Sequence, residues 1–339
     1  MHRVREPAVA GAFYPKHSST LSNDVMALLT SARSSVDTAS TLPKAIIVPH
    51  AGYIYSGATA AMAYARLAAG RTSIQRVVLL GPVHRVPVRG LALPGVGFFA
   101  TPLGEVEIDQ VAVAAITPLR QVVVSQAAHA PEHSLEVQLP FLQSVLEDFK
   151  LVPLAVGDAT GAEVAQVLEV LWGGPETLFV VSSDLSHFLP YRAAQAVDQE
   201  TVHAILAMDA HLTHQQACGG TPVNGLLLVA RRHHLRPQLL GHCNSGDTAG
   251  DKNRVVGYAA FAFMNPCGTD RSDTKCASSV PNRMSDVGGP PCGTDHSDTQ
   301  CASSVPNILS DVGSPPCGTD HSGRGARTVL NTSRPHDVH

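Results

Sequence analysis

Residues 45–53 read Ala45-Ile46-Ile47-Val48-Pro49-His50-Ala51-Gly52-Tyr53, and the fold class turns on them. Four apolar, mostly β-branched residues predict a buried strand. Pro49 cannot donate a ladder hydrogen bond and ends it. Gly52 permits a tight turn, and the Ala-rich run from Ala58 to Leu67 begins a helix. His50 is thereby placed at the carboxyl end of a strand, where open α/β sheets bind their ligands. A second copy follows in Arg76-Val77-Val78-Leu79-Leu80, then Gly81-Pro82-Val83-His84. Either histidine alone reads as a surface loop residue. Their matched placement after successive strands suggests a metal site.

Outward from these units the same grammar repeats. Leu151–Gly157 predicts a strand and Ala162–Leu171 its helix. Leu178–Val181 is another buried strand, running into Ser182-Ser183-Asp184-Leu185-Ser186-His187. Asp184 and His187, three apart, can share one turn for acid–base work or for orienting a ligand. Ser183 as a triad nucleophile lacks the Gly-x-Ser-x-Gly elbow. Ala130–Phe141 concentrates function-capable groups at a predicted helix start. Ser134 is the candidate cap, and Leu135, Leu139 and Leu142 form the apolar face. As solvated first-turn acids, Glu136 is well explained but the Glu132-His133 pair is not. Cys218 precedes the helix from Val223 to Ala230, with Pro222 in its first turn. The helix dipole favours its thiolate, which suits a metal ligand or a nucleophile. Cys243, after the strand-like Gln238–Gly241, reads as a small buried hydrophobe. Val255–Phe263 closes the fold as a buried strand.

Composition bounds the rest. The chain has 339 residues, a formal net charge of −4 and 44% hydrophobic residues. That supports a sizeable core and argues against nucleic acid or a membrane surface as a partner. No apolar run reaches the roughly 20 residues a membrane helix needs. The first residues lack the apolar stretch of a secretory signal, so the cytoplasm is the expected compartment. Of seven cysteines, only Cys218 and Cys243 lie within residues 1–265 and read as reduced thiols. From Pro266 to His339 the composition changes. Pro-Cys-Gly-Thr-Asp recurs at Pro266, Pro291 and Pro316, a 25-residue tandem repeat rich in Gly, Pro, Ser, Asp and Thr. Such a segment buries too little apolar surface to offset chain entropy, which predicts a disordered extension.

Taken together, these stretches resemble the Memo family, the protein B component of the AmmeMemoRadiSam gene group. The resemblance rests on Pro49-His50-Ala51-Gly52-Tyr53, Gly81-Pro82-x-His84, Glu132-His133-Ser134-x-Glu136, Ser182-Ser183-Asp184-x-x-His187 and Cys218-Gly219. Asp247 and Val255-Val256-Gly257-Tyr258 also match. It runs in order from about Arg5 to Met264, roughly three quarters of the chain. It implies one α/β/α three-layer domain over residues 1–265, with a central mixed, mostly parallel sheet similar to that of class III extradiol dioxygenases.

The resemblance also implies a mononuclear metal site with His50, His84 and Cys218 as ligands. His187, Asp184 and His133 are then the catalytic candidates, with Glu132 and Tyr53 on the substrate side. In the dioxygenases two histidines and a carboxylate hold Fe(II); here Cys218 stands in the carboxylate's place. Fe(II) is the expected ion, with Cu or Zn as alternatives, in redox or dioxygenase-like chemistry on a small substrate. The family's gene neighbourhood implies a functional link to a radical SAM enzyme. Two other readings stand beside this one. The pocket could serve a non-catalytic adaptor that binds a peptide or partner protein. It could also serve a hydrolase using zinc, or Cys218 as nucleophile with His187 as base.

Overall fold

Along residues 45–48 successive side chains enter opposite cores. Ile46 and Val48 belong to one apolar cluster, Ala45 and Ile47 to the other. All four are buried, so this strand is covered on both faces, as parallel sheets require. The computed structural model describes residues 3–33 and 42–265. The repeat tail from Pro266, with its recurring Cys and His, lies outside the described residues.

Twelve strands and eight α-helices are assigned among the described residues. The first half contains β1 (Val4–Arg5), α1 (Ser18–Arg33), β2 (Ala45–Val48), α2 (Tyr53–Ala65) and β3 (Arg76–Pro82). Then come β4 (Leu91–Leu93), β5 (Phe98–Thr101), β6 (Gly104–Glu107), α3 (Gln110–Ile116), β7 (Val122–Val124), α4 (Gln126–His129) and α5 (Leu139–Val145). The second half contains β8 (Lys150–Val156), α6 (Gly161–Val170), β9 (Thr177–Ser182), β10 (His187–Leu189) and α7 (Tyr191–Leu206). It ends with α8 (Gly220–Arg232), β11 (Arg236–Asn244) and β12 (Val255–Met264).

The main sheet runs β10-β12-β2-β9-β3-β8-β4-β7, with β11 also paired to β12. β2, β9, β3 and β8 are mutually parallel, and β12 is antiparallel to β2. A small sheet, β1-β5-β6, stands apart. One face is covered by α1, α2 and α5 through residues such as Leu29, Tyr64 and Leu142. The other is covered by α6, α7 and α8 through Leu168, Ile205 and Leu226. The result is the mixed α/β/α three-layer arrangement expected from the sequence. No helix among the described residues is long and apolar enough to cross a membrane.

Two local features tie this frame to the region beyond the strand ends. His129, at the end of α4, donates from Nε2 to the Ala92 carbonyl of β4 at 2.7 Å. Burial, aided by the Arg5 charge, pushes its pKa down to about 4 despite that bond. At the end of β8, a Cβ on Gly157 would lie 2.0 Å from the Val88 carbonyl oxygen, so only glycine admits this approach.

Gly157→Ala should therefore force the backbone near Val88 apart and cost about 1–3 kcal/mol. A lower urea midpoint at unchanged m-value is the expected readout. His129 gives a pH prediction. Its folded pKa lies below the roughly 6.5 of an unfolded histidine, so the unfolded state binds the extra proton. Stability should fall as pH drops from about 6.5 to about 4, by about 3 kcal/mol in total, and level off below. Urea midpoints across that range should slope less for His129→Gln; identical slopes would refute the assignment.

Candidate metal centre

Because β2, β9 and β3 are adjacent and parallel, the residues following them meet at one end of the sheet. His50 follows β2, Asp184 follows β9 and His84 follows β3. His133 arrives from the loop between α4 and α5. One ring nitrogen from each of His50, His84 and His133 lies within 4.8 Å of the others, an arrangement able to hold a metal ion. The ring centroids of His50 and His84 are 5.3 Å apart, and His133 is 5.4 and 4.8 Å from them. His50 and His133 are buried, whereas the His84 side chain is 28% exposed. That leaves one side of the cluster open.

Hydrogen bonding settles which nitrogen His50 and His84 present. The Ser182 hydroxyl donates to the Ser134 carbonyl at 2.6 Å and accepts from Gln138 Nε2 at 2.8 Å. Its remaining lone pair accepts from His50 Nδ1 at 2.9 Å. Gln138 is itself oriented: its amide nitrogen donates to the Pro49 carbonyl and its oxygen accepts from the Tyr64 hydroxyl. His50 therefore carries its proton on Nδ1 and offers Nε2 to the cluster. Burial, with His84 and His133 alongside, holds its pKa well below the usual histidine value, so the ring is neutral.

Glu132 does the same for His84, accepting from its Nδ1 at 2.9 Å and from its backbone N–H. Its Oε1 also takes the N–H groups of His133 and Ser134 and lies 3.2 Å from His133 Nδ1. Burial alone would raise this carboxyl, but the His133 and His84 hydrogen bonds hold it far below the usual carboxylate range. A buried carboxylate behind two imidazoles fixes ring orientation and raises basicity.

Cys218, just before α8, brings its Sγ to 3.3 Å from His50 Nε2 and 3.7 Å from the Asp184 carbonyl. The thiolate favoured by the helix dipole is not what the site produces. Burial and the Asp184 charge push the thiol up, and nearby hydrogen bonds do not offset them. Asp184 Oδ1 accepts the His50 N–H at 2.7 Å, and Oδ2 lies 3.9 Å from His50 Nε2. Burial raises the Asp184 carboxyl. His187 Nδ1 donates to the Leu185 carbonyl at 2.9 Å, which leaves Nε2 free. Phe188 has a φ of 58°, and the pairing of β10 with β12 shifts register there. Such a bulge re-aims a neighbouring side chain. His187, His84 and Cys218 line a cleft of about 940 Å³ whose other wall includes Val83, Val86 and Leu189.

The structure thus gathers His50, His84, His133, Cys218, Asp184 and Glu132, with His187 at the cleft. Tyr53 donates its hydroxyl to the Val137 carbonyl at 2.7 Å, and its ring packs on Phe141. Ser183 is spent on the Asp184 carbonyl and the Gly219 N–H. Two further sequence expectations are corrected. Ser134 does not cap a helix; its hydroxyl donates to the Pro82 carbonyl at the end of β3. Glu136 is not a solvated acid; it is fully buried and paired with Arg5. Gln138 and Ser182 as orienting groups were also missed, although a glutamine inside an apolar helical face was a readable signal.

A model of Memo-like proteins matches residues 5–262, ending before the repeat tail begins. The chain belongs to the Memo-like family. A MEMO1 family protein of Aquifex aeolicus (strain VF5) is 36% identical over 274 residues, spanning 77% of this chain and 100% of its own length. Relatives from Archaeoglobus fulgidus and Metallosphaera sedula, also MEMO1 family proteins, are 35% and 34% identical, each over 77% of this chain and 99% of their own. The solved structure of the uncharacterized protein JW3007 from Escherichia coli K12 is similar at a TM-score of 0.40 and 14% identity. It covers 65% of this chain and 99% of that one.

Within this Memo-like centre, Glu132→Gln turns an acceptor-only group into one that opposes an N–H donor. Affinity for zinc, read by chelator competition, should fall by about 10–100-fold, as for other groups behind metal-bound histidines. Unchanged affinity would mean that Glu132 orients nothing.

Proposed function

We propose that this chain is a mononuclear metal protein performing redox chemistry on a small molecule held in the cleft, with iron the preferred ion and copper next. One observation carries the reading: three imidazoles converge beside a thiol at an open cleft. The donor set fits a metal. His50 and His84 spend Nδ1 on Ser182 and Glu132, so their inward nitrogens have lone pairs to give. Imidazole with a thiol suits iron, copper or zinc rather than magnesium or calcium.

His50, His84 and His133 would hold the ion, and Cys218 stands where it can join them or take the place of one. A bound iron or copper ion supplies electron exchange and polarises the substrate. Around it, the protein's own groups divide the remaining tasks. Glu132 keeps two rings aligned. His187 can give or take a proton at Nε2 on the cleft side, and Asp184 lies next to the His50 ring to balance charge. Val83, Val86 and Leu189 exclude water from the apolar part of a substrate.

The test is anaerobic reconstitution with Fe(II), Cu(I) or Zn(II), followed by elemental analysis and oxygen uptake with a panel of catechols and thiols. Wild type should retain about one iron or copper ion per chain, and His50→Ala should lose it. Cys218→Ser should weaken binding and change the absorption spectrum. Wild-type protein that stays metal-free overturns the metal site. Protein that binds an ion but never consumes oxygen or oxidises a substrate overturns the redox reading.

A further inference from the structure

Outside the histidine cluster, the densest buried polar group joins the start of the chain to residues 129–136. Arg5 is 5% exposed and Glu136 is 0% exposed. The Arg5 guanidinium pairs with Glu136 Oε2 and gathers three backbone carbonyls, those of His129 at 3.1 Å, Ala130 at 3.5 Å and Glu132. Glu136 answers with its own set. It accepts from the backbone N–H of Ala8 at 2.7 Å and Val9 at 3.0 Å, and from the Tyr14 hydroxyl at 2.5 Å. Residues 5–14 are thus strapped to the segment that carries Glu132 and His133.

The same strap reaches a second ligand loop. The Phe13 ring packs on the His133 ring at 4.7 Å between centroids. The Phe13 carbonyl accepts the Tyr53 N–H at 2.8 Å, three residues after His50. Arg5 and Glu136 reach the cluster through Glu132, His133 and Phe13. Turning the carbonyls of residues 129, 130 and 132 toward one cation leaves the Glu132 carboxylate and the His133 ring directed to the cluster. A planar guanidinium with five donors can do this, whereas a lysine ammonium is a single point of charge.

We propose that Arg5 and Glu136 are positioning residues for the metal centre, holding the Glu132–His133 segment in the geometry that binds the ion. This rests on the metal reading given under Proposed function. Removing one partner of a buried ion pair leaves an uncompensated charge, which a second replacement can take away. A structural role and a positioning role therefore separate in a double replacement.

The experiment uses the full chain and Co(II) as a spectroscopic probe. Arg5→Lys and Arg5→Met should each weaken Co(II) binding about 10-fold, the lower end expected for groups behind metal ligands, and should shift the d–d bands. The double variant Arg5→Met with Glu136→Gln removes the orphaned buried charge and keeps an acceptor for Ala8, Val9 and Tyr14. That variant should regain part of the thermal stability that Arg5→Met loses yet keep the weakened affinity and shifted spectrum. Tyr14→Phe, which removes one donor to Glu136 and leaves the ion pair, should move both readouts the same way by a smaller amount. It remains informative should the stronger variants misfold. Wild type that takes up Co(II), with the double variant and Tyr14→Phe matching it in affinity and spectrum, overturns the positioning role alone. Wild type that takes up no Co(II) overturns the metal reading and this inference with it.

Discussion

Parallel pairing of β2, β9 and β3 leaves three strand ends side by side, each roughly 4.8 Å from the next. The core of the site follows from that alignment. His50, Asp184 and His84 come from positions far apart in the chain, and only strands running the same way bring them to one end of the sheet. Both faces of these strands are packed, so the ends cannot tilt to adjust the residues that follow them. Fine placement falls to side chains at the ends: Ser182 behind His50 and Glu132 behind His84.

Those supporting groups sit in a fully partnered network, which is the condition for a buried polar cluster to add rigidity. Tyr64 orients Gln138, Gln138 orients Ser182, and Ser182 sets the proton on His50. Ser134 pins its own segment to Pro82, at the end of the strand that delivers His84. The same close packing explains why Gly81 precedes Pro82. A Cβ there would lie 2.8 Å from Ser134 Oγ and 3.0 Å from a Leu135 methyl. The apolar sheet thus sets the coarse position of the histidines, and a chain of hydrogen bonds sets which nitrogen His50 and His84 turn inward.

The legible parts of this arrangement were local ones. A β-branched run ending in Pro49 announces a buried strand and its end, which put His50 and His84 at strand termini without any knowledge of pairing. Phe188 offers no such signal: a bulky residue at positive φ is held by pairing with β12, nearly 70 residues away. Glu136 was misjudged because its first-turn position is ordinary on a solvated helix. Its partner Arg5 is 131 residues earlier, and nothing between them shows that the two meet. Ser134 has the chemistry of a cap, yet the nearest acceptor is a carbonyl of a different strand. Propensity reads short-range geometry, and tertiary partners overrode it in each of these cases.

The anionic side chains of the site are not equally free to serve an ion. Glu132 is committed on both oxygens to N–H donors, and Asp184 Oδ1 is committed to the His50 N–H. Cys218 is held more weakly: its Sγ lies 3.3 Å from His50 Nε2 and donates to the Asp184 carbonyl at 3.7 Å. A cation entering among the imidazoles would meet the thiol as the anionic donor with least to give up. Burial and the Asp184 charge oppose thiolate formation in the absence of a cation, so the charge appears most cheaply when a cation is there to balance it. The exposed edge of His84 and the cleft beside it keep one approach open, while His50 is sealed from water and His133 nearly so. A donor set that is soft on one side and open on the other is in keeping with the proposed ion, one that binds sulfur and nitrogen and still accepts an outside ligand.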